Sequence, residues 1–296
     1  MISSRIKELL PYKTETTKAH IKLSSNEMPI LFPDYVKRKI CEEIAQVPIN
    51  RYPDPRADEL KEVLAYRFDV KEENLVLGNG SDELIYYLSI AIGELKRGVY
   101  YPIPTYSMYQ ISAKILGRES VEIKVDDRMD INLEDSLMAI ETKKPILSFF
   151  SYPNNPTGNC FSTDKIAKIR EMGLFTVLDE AYYHFSKKTF LEDALRREDT
   201  VVLRTLSKIG MAGIRVGVLI AKDSVAYEIN KMRLPFNVTY PSQVIAKLML
   251  TEFYPIIEEA IEMVIRERDR LFYELSKVDG IKPYPSEANF ILFSSP

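Results

Sequence analysis

At 296 residues, with 46% hydrophobic and 28% charged side chains, the chain has enough apolar material for a large core and a smaller unit beside it, which excludes a disordered protein. Forty basic residues against forty-three acidic ones leave a net charge of −3, and no basic cluster stands apart from ordinary amphipathic helices, so nucleic acid is not an expected partner. No apolar run reaches membrane-spanning length, and the N-terminus M-I-S-S-R-I-K-E-L-L-P lacks a secretory apolar stretch, so the expected location is the cytoplasm, with no membrane association.

The first 50 residues read as an irregular arm as far as Pro33, then a helix from about Asp34 to Ala45, closing on N-R-Y-P-D-P at Asn50–Pro55. From Leu75 onward, short β-branched or aliphatic runs alternate with longer helical patterns, the signature of an α/β fold with a mostly parallel sheet. The expected strands are Leu75–Leu77, Val99–Tyr101, Val121–Lys124, Ile146–Phe149, Phe175–Leu178, Val201–Leu203 and Val216–Ala221. Between them, helices are expected over Asp82–Leu95, Ser107–Leu116, Leu133–Ile140 and Ser162–Met172.

After Met232 the pattern changes. Pro235 and Pro241 precede a helix near Ser242–Leu250, followed by a long charged helix near Pro255–Lys277 and a closing strand, Asn289–Phe293. This divides the chain into an arm and part of a small domain (1–50), a large domain (51–232) and the rest of the small domain (233–296), which reads as incomplete. The fold class is α/β: a large domain with a mostly parallel central sheet covered by helices, and a smaller α+β domain made by the two ends packing together.

Several groups that can carry chemistry fall just after strands, where α/β folds place ligands. Asp179, after Phe175–Leu178, can pair with a protonated ring nitrogen; read alone, Asp179 and Glu180 are better read as capping the next segment. Lys208 follows Val201–Leu203 beside Ser207 and can form a Schiff base with an aldehyde if desolvation or a nearby cation lowers its pKa. As an isolated S-K pair it reads as a solvated loop lysine. Arg215, seven residues on, suits bidentate phosphate binding.

G-N-G-S-D-E at Gly78–Glu83 closes a strand and opens a helix, presenting N–H groups and the Ser81 hydroxyl to an anion, or simply starting a capped helix. The dinucleotide pattern G-x-G-x-x-G is absent. Tyr106, in Y-P-I-P-T-Y, can stack on a planar ligand or serve as core. Cys41 and Cys160 have no disulfide or zinc spacing, and His20 and His184 have no partner at metal-ligand or triad spacing. No metal is expected.

Together, L-S-S-N-E-M-P (Leu23–Pro29), N-R-Y-P-D-P, G-N-G-S-D-E, S-Y-P-N-N-P-T-G (Ser151–Gly158), D-E-A-Y (Asp179–Tyr182) and T-L-S-K-I-G-M-A-G-I-R-V-G (Thr205–Gly217) resemble the fold-type I pyridoxal phosphate enzymes. Within that group they are most similar to the histidinol-phosphate aminotransferases. The resemblance spans essentially the whole chain in one order and implies an aspartate aminotransferase-like fold.

It also implies roles. Lys208 would hold pyridoxal 5'-phosphate and move the substrate Cα proton, Asp179 would pair with the pyridinium nitrogen, and Tyr182 and Asn155 would bond the phenolic oxygen. Tyr106 would stack on the ring. The phosphate would be held by the Ser81 and Asp82 backbone, by Ser207 and Arg215, and by Tyr52 from a second subunit, which implies a homodimer with shared active sites. Tyr12, Asn237 and Tyr240 are expected near the substrate.

The implied reaction is ping-pong transfer of an amino group between histidinol phosphate and 2-oxoglutarate, in histidine biosynthesis. Related readings are an aromatic aminotransferase or a phosphothreonine decarboxylase of the same fold, and outside enzymes a degenerate cofactor-binding protein. Met28 departs from the family's asparagine before the proline, and the Lys208–Arg215 interval is one residue shorter than in many relatives. No arginine follows Asn289 to match the family's substrate-carboxylate clamp, so weak turnover of 2-oxoglutarate is the expectation for the chain as it stands.

Overall fold

Seven short strands form one sheet, and all but the edge strand at Ser120–Lys124 carry apolar side chains on both faces, which helices on both sides bury. The computed structural model describes residues 2–11 and 20–296. Helices α1 (Ser4–Lys7), α2 (Asp34–Ala45) and α3 (Asp58–Phe68) come first. The sheet region follows as β1 (Leu75–Asn79), α4 (Gly80–Ala91), β2 (Val99–Ile103), α5 (Met108–Leu116), β3 (Ser120–Lys124), α6 (Leu133–Lys143), β4 (Leu147–Ser151) and α7 (Thr163–Glu171). It continues through β5 (Phe175–Asp179), α8 (Tyr183–Ser186), α9 (Leu191–Arg196), β6 (Thr200–Thr205), β7 (Val216–Ile220) and α10 (Asp223–Asn230). Helices α11 (Tyr240–Thr251) and α12 (Tyr254–Leu275) precede two short strands, β8 (Lys282–Pro283) and β9 (Phe293–Ser294).

The sheet order is β1-β7-β6-β5-β4-β2-β3, and only β7 runs against its neighbours. The period-2 alternation of the strands splits the core into two layers. Tyr100, Phe150, Leu178 and Val202 face one side, with Leu64 of α3, Ile140 of α6 and Ile166 of α7 packed in the same layer. Tyr101, Phe149, Val177 and Leu203 face the other, with Leu84 and Leu88 of α4 and Ala226 of α10. The ends of the chain also meet. Helix α2 packs on α11, Tyr35 lies edge-on to Phe253 with centroids 6.0 Å apart, and Asn289 Nδ2 donates to Asn26 O at 3.0 Å.

Each of the seven sheet strands expected from the sequence forms, most of them a residue or two longer. The helix expected over Asp82–Leu95 instead begins at Gly80 and stops at Ala91. Beyond it Gly93 takes φ +64°, and the Arg118 guanidinium binds the carbonyls of Ile92, Gly93 and Glu94, replacing the helical bonds that would have continued. The closing strand expected over Asn289–Phe293 is not there. Only Phe293–Ser294 pairs, with Lys282–Pro283, while Asn289 is held by a side-chain bond to the N-terminal arm.

One close approach fixes the start of α4 on the sheet. Gly217 in β7 lies so near the Gly80–Ser81 backbone that an added Cβ would stand 2.3 Å from the Gly80 carbonyl carbon and 2.4 Å from Ser81 N. No side chain fits there, and backbone on both sides leaves nothing to yield. Gly217→Ala is therefore expected to cost roughly 3 kcal/mol or more, read as a lowered urea midpoint; an unchanged midpoint would contradict this packing.

Candidate functional site

The reversal of β7 brings its first residue to the same edge as the last residues of β1, β4, β5 and β6. Loops from all five strands meet there around a cleft of about 350 Å³. Ser81, Asp82, Tyr106, Asn155, Asp179, Tyr182, Ser207, Lys208 and Arg215 all line it, as do Ser24, Ser25 and Asn26 from the N-terminal arm.

Lys208 lies in a 3-10 turn, Leu206–Ile209, that begins where Thr205 Oγ1 accepts the Ser207 N–H at 3.1 Å. Its Nζ donates to the Ser25 carbonyl at 3.1 Å and stands 5.6 Å from the centre of the Tyr182 ring. Desolvation lowers the pKa of this amine, against the opposing pull of Asp82, Asp179 and Glu27. A lysine shifted in that direction is a better nucleophile and base near neutrality.

Asp179, the last residue of β5, is 3% exposed. Its Oδ2 accepts the Tyr109 O–H at 2.8 Å and its Oδ1 accepts the Ala181 N–H at 3.2 Å. Burial pushes its pKa up to about 6; the two hydrogen bonds and Lys208 pull it down, and the like charge of Asp82 adds to the rise. Glu180 is handled differently. It forms a buried ion pair with Arg204 at 3.0 Å and accepts from Thr189 and the Phe190 N–H, while the Arg204 guanidinium lies 3.7 Å from the centre of the Tyr183 ring.

The opposite end of the cleft suits an anion. The α4 N-terminus has no side-chain cap, so the first-turn N–H groups of Ser81 and Asp82, which have no intrahelical acceptor, lie at the cleft wall. Arg215 adopts φ 52°, the left-handed region, and that backbone turn sets its guanidinium over Gly80. Its Nη2 bonds Asp82 Oδ2 at 3.0 Å, while the Tyr106 O–H donates to Asp82 Oδ1 at 2.7 Å. Between the two ends, the Tyr182 hydroxyl accepts from Asn26 Nδ2 at 3.0 Å and Asn155 Nδ2 at 3.4 Å, and burial raises its pKa to about 12.

Other residues named from the sequence lie elsewhere. Tyr52 is 78% exposed and stacks on Phe236 with centroids 4.4 Å apart, outside the cleft lining. Asn237 binds the Leu77 carbonyl and Glu83, and Tyr240 lines a separate hollow beside α3. Tyr12 is outside the described residues. His184 is buried and its pKa falls to about 3 through burial, which keeps it neutral. Cys41 and Cys160 are free thiols, and among the described residues no group of acidic, histidine or cysteine side chains could hold a metal ion. Among the described residues, no helix is long and apolar enough to cross a membrane.

Two contributors went unnoticed in the sequence. Asn26 sits within L-S-S-N-E-M-P, so the motif was visible although the contact to Tyr182 was not. Tyr109 follows Tyr106 by three residues at the start of a helix, a spacing that puts two phenols on one face.

A family model for aminotransferases of class I and II matches residues 18–296. A histidinol-phosphate aminotransferase of Aquifex aeolicus is 62% identical over 296 residues, covering all of this chain and 84% of that protein. One from a Hydrogenobaculum species is 47% identical over 292 residues, 99% of this chain and 83% of the other. Among solved structures, the histidinol-phosphate aminotransferase from Clostridium acetobutylicum aligns with TM-score 0.80 at 27% identity, covering 92% of this chain and 81% of that one.

Asp179 makes stability pH-dependent in the cofactor-free protein. Its folded pKa of about 6 exceeds the ordinary 3.8, so the folded state holds the proton more tightly. That contribution is fully present below about pH 4 and is lost as pH rises through about 6, amounting to up to ~3 kcal/mol. Urea titrations should show Asp179→Asn gaining on the wild type by ~2–3 kcal/mol between pH 4 and pH 7. Parallel pH profiles for the two proteins would refute it.

Proposed function

The chain belongs to the class I and II aminotransferases, and within them to the histidinol-phosphate aminotransferases, and on that premise we propose that it moves an amino group between histidinol phosphate and 2-oxoglutarate using pyridoxal phosphate in the Lys208 cleft. One observation carries this reading. A desolvated amine, a buried carboxylate and an anion-receptive helix start share a single cleft.

The donor set fits that cofactor. Both hydrogen bonds that Asp179 accepts come from neutral donors, so a protonated ring nitrogen would supply a cationic partner for its carboxylate. At the other end, Arg215, the Ser207 hydroxyl and the Ser81 and Asp82 N–H groups match a phosphate dianion. When bound, the cofactor supplies a conjugated ring into which the electrons of the substrate Cα–H bond delocalise.

The chain's own groups do the rest. Asp179 keeps the ring nitrogen protonated. The Tyr182 hydroxyl already accepts two amide donors, so its own O–H is left to meet the phenolic oxygen, alongside Asn155. Tyr106 covers the ring face from the end of the cleft where it holds Asp82. Lys208 Nζ would hold the cofactor and, as a free amine, would take the substrate Cα proton and deliver it to the adjacent cofactor carbon. Its lowered pKa favours the neutral amine that this task needs.

Tyr52 lies outside the lining of its own cleft, exposed and stacked on Phe236. That placement supports a homodimer in which Tyr52 completes the phosphate site of the partner subunit. The substrate class rests on the 62% identical relative.

The reading is tested by assaying the purified protein with histidinol phosphate, phenylalanine or threonine phosphate as substrate. Histidinol phosphate with 2-oxoglutarate is expected to give the highest kcat/KM, and Lys208→Ala to lower it by roughly 10³-fold or more. Preference for phenylalanine, or release of carbon dioxide from threonine phosphate, would overturn the assignment.

A further inference from the structure

Tyr109 hydrogen-bonds Asp179 from outside the cleft lining. It stands on the first turn of α5, fully buried, with its ring stacked on Phe149 of β4 at 4.7 Å and 7°. Tyr106, three residues earlier, meets it edge-on at 5.8 Å, so the ring expected over the ligand and the phenol beneath the carboxylate form one packed pair. Stacking on Phe149 leaves the Tyr109 hydroxyl little freedom, and the O–H is aimed at Asp179 Oδ2 at 2.8 Å.

We propose that Tyr109 is a positioning residue for the aminotransferase reaction: its hydrogen bond sets the rotation of the Asp179 carboxylate and keeps that group an acceptor toward the cleft. The consequence for the ring nitrogen rests on the function proposed above, whereas the effect on Asp179 itself does not. The Tyr182 phenol faces this carboxylate from the cleft and feels its charge. Tyr109 from α5, the Ala181 N–H and Lys208 favour its charged form, while burial and Asp82 from α4 oppose it. Burial and the adjacent carboxylate also hold the phenol's own pKa well above its usual value, so Tyr109 remains a donor at every working pH. Without that donor, Asp179 would tend to carry its own proton and present an O–H where the ring nitrogen needs an acceptor.

The test begins with the cofactor-free protein labelled with 13C at aspartate carboxyls, with Asp179→Asn assigning the resonance. The Asp179 midpoint, about 6 in the wild type, should rise by about one pH unit in Tyr109→Phe, which keeps the stacked ring. Phe149→Leu, which loosens the stack and leaves the hydroxyl, should shift it far less. An unmoved midpoint in folded Tyr109→Phe, or an equal shift in Phe149→Leu, overturns the proposal.

A second readout uses pyridoxal phosphate as the probe. The pH midpoint of the Lys208-linked absorbance should rise in Tyr109→Phe, and kcat should fall by roughly tenfold with little change in KM. A pH midpoint identical to that of the wild type counts against the proposal. If the wild type itself showed no such absorbance, the cofactor reading would fail while the carboxyl titration still decided the role of Tyr109.

Discussion

The rest of the site depends on a carboxylate kept out of water at the end of a central strand. Two adjacent acids show what that costs. Glu180 is neutralised by the buried Arg204 guanidinium, an arrangement that serves packing between β5, β6 and the loop carrying Thr189. Asp179 receives only neutral hydrogen bonds, and burial raises the pKa of both acids, that of Asp179 to about 6. A buried acid left without an ion pair is open to a cationic ligand, and it is this difference in partners that distinguishes the two acids.

The sheet delivers the partners of that acid through a single irregularity. Because β7 is reversed, Arg215 enters the sheet at the edge where Asp179 and Thr205 leave it, and Gly217 allows the α4 backbone to lie directly against β7. An all-parallel arrangement would put the residue before β7 at the opposite edge. The anion end and the amine end of the cleft are therefore spaced by strand order and by one glycine, while the side chains supply the chemistry.

Much of this was legible in the sequence. The strand runs are short, β-branched and bounded by turns, so the seven sheet strands could be read from period and composition, and the motif residues after them fall at the predicted edge. Helix α3 was not among the expected elements, although Leu60, Leu64 and Phe68 repeat every four residues. Asn289–Phe293, expected as a strand, pairs only at Phe293, where the two-residue strand Lys282–Pro283 meets Phe293–Ser294. The residues alone did not separate Asp179 from Glu180, and only the family resemblance singled out Asp179. Both follow the same strand, and only the tertiary placement of Arg204 and Tyr109 assigns them different environments.

The central claim is that Lys208 is the amine that carries the cofactor. Incubation with pyridoxal phosphate, borohydride reduction and peptide mapping would test it most directly. The account predicts a pyridoxyl group on Lys208, with its yield reduced when Asp179 is replaced by alanine. A label on Lys187 or Lys188, which lie beyond Tyr182 and outside the cleft lining, with Lys208 unmodified, would contradict it.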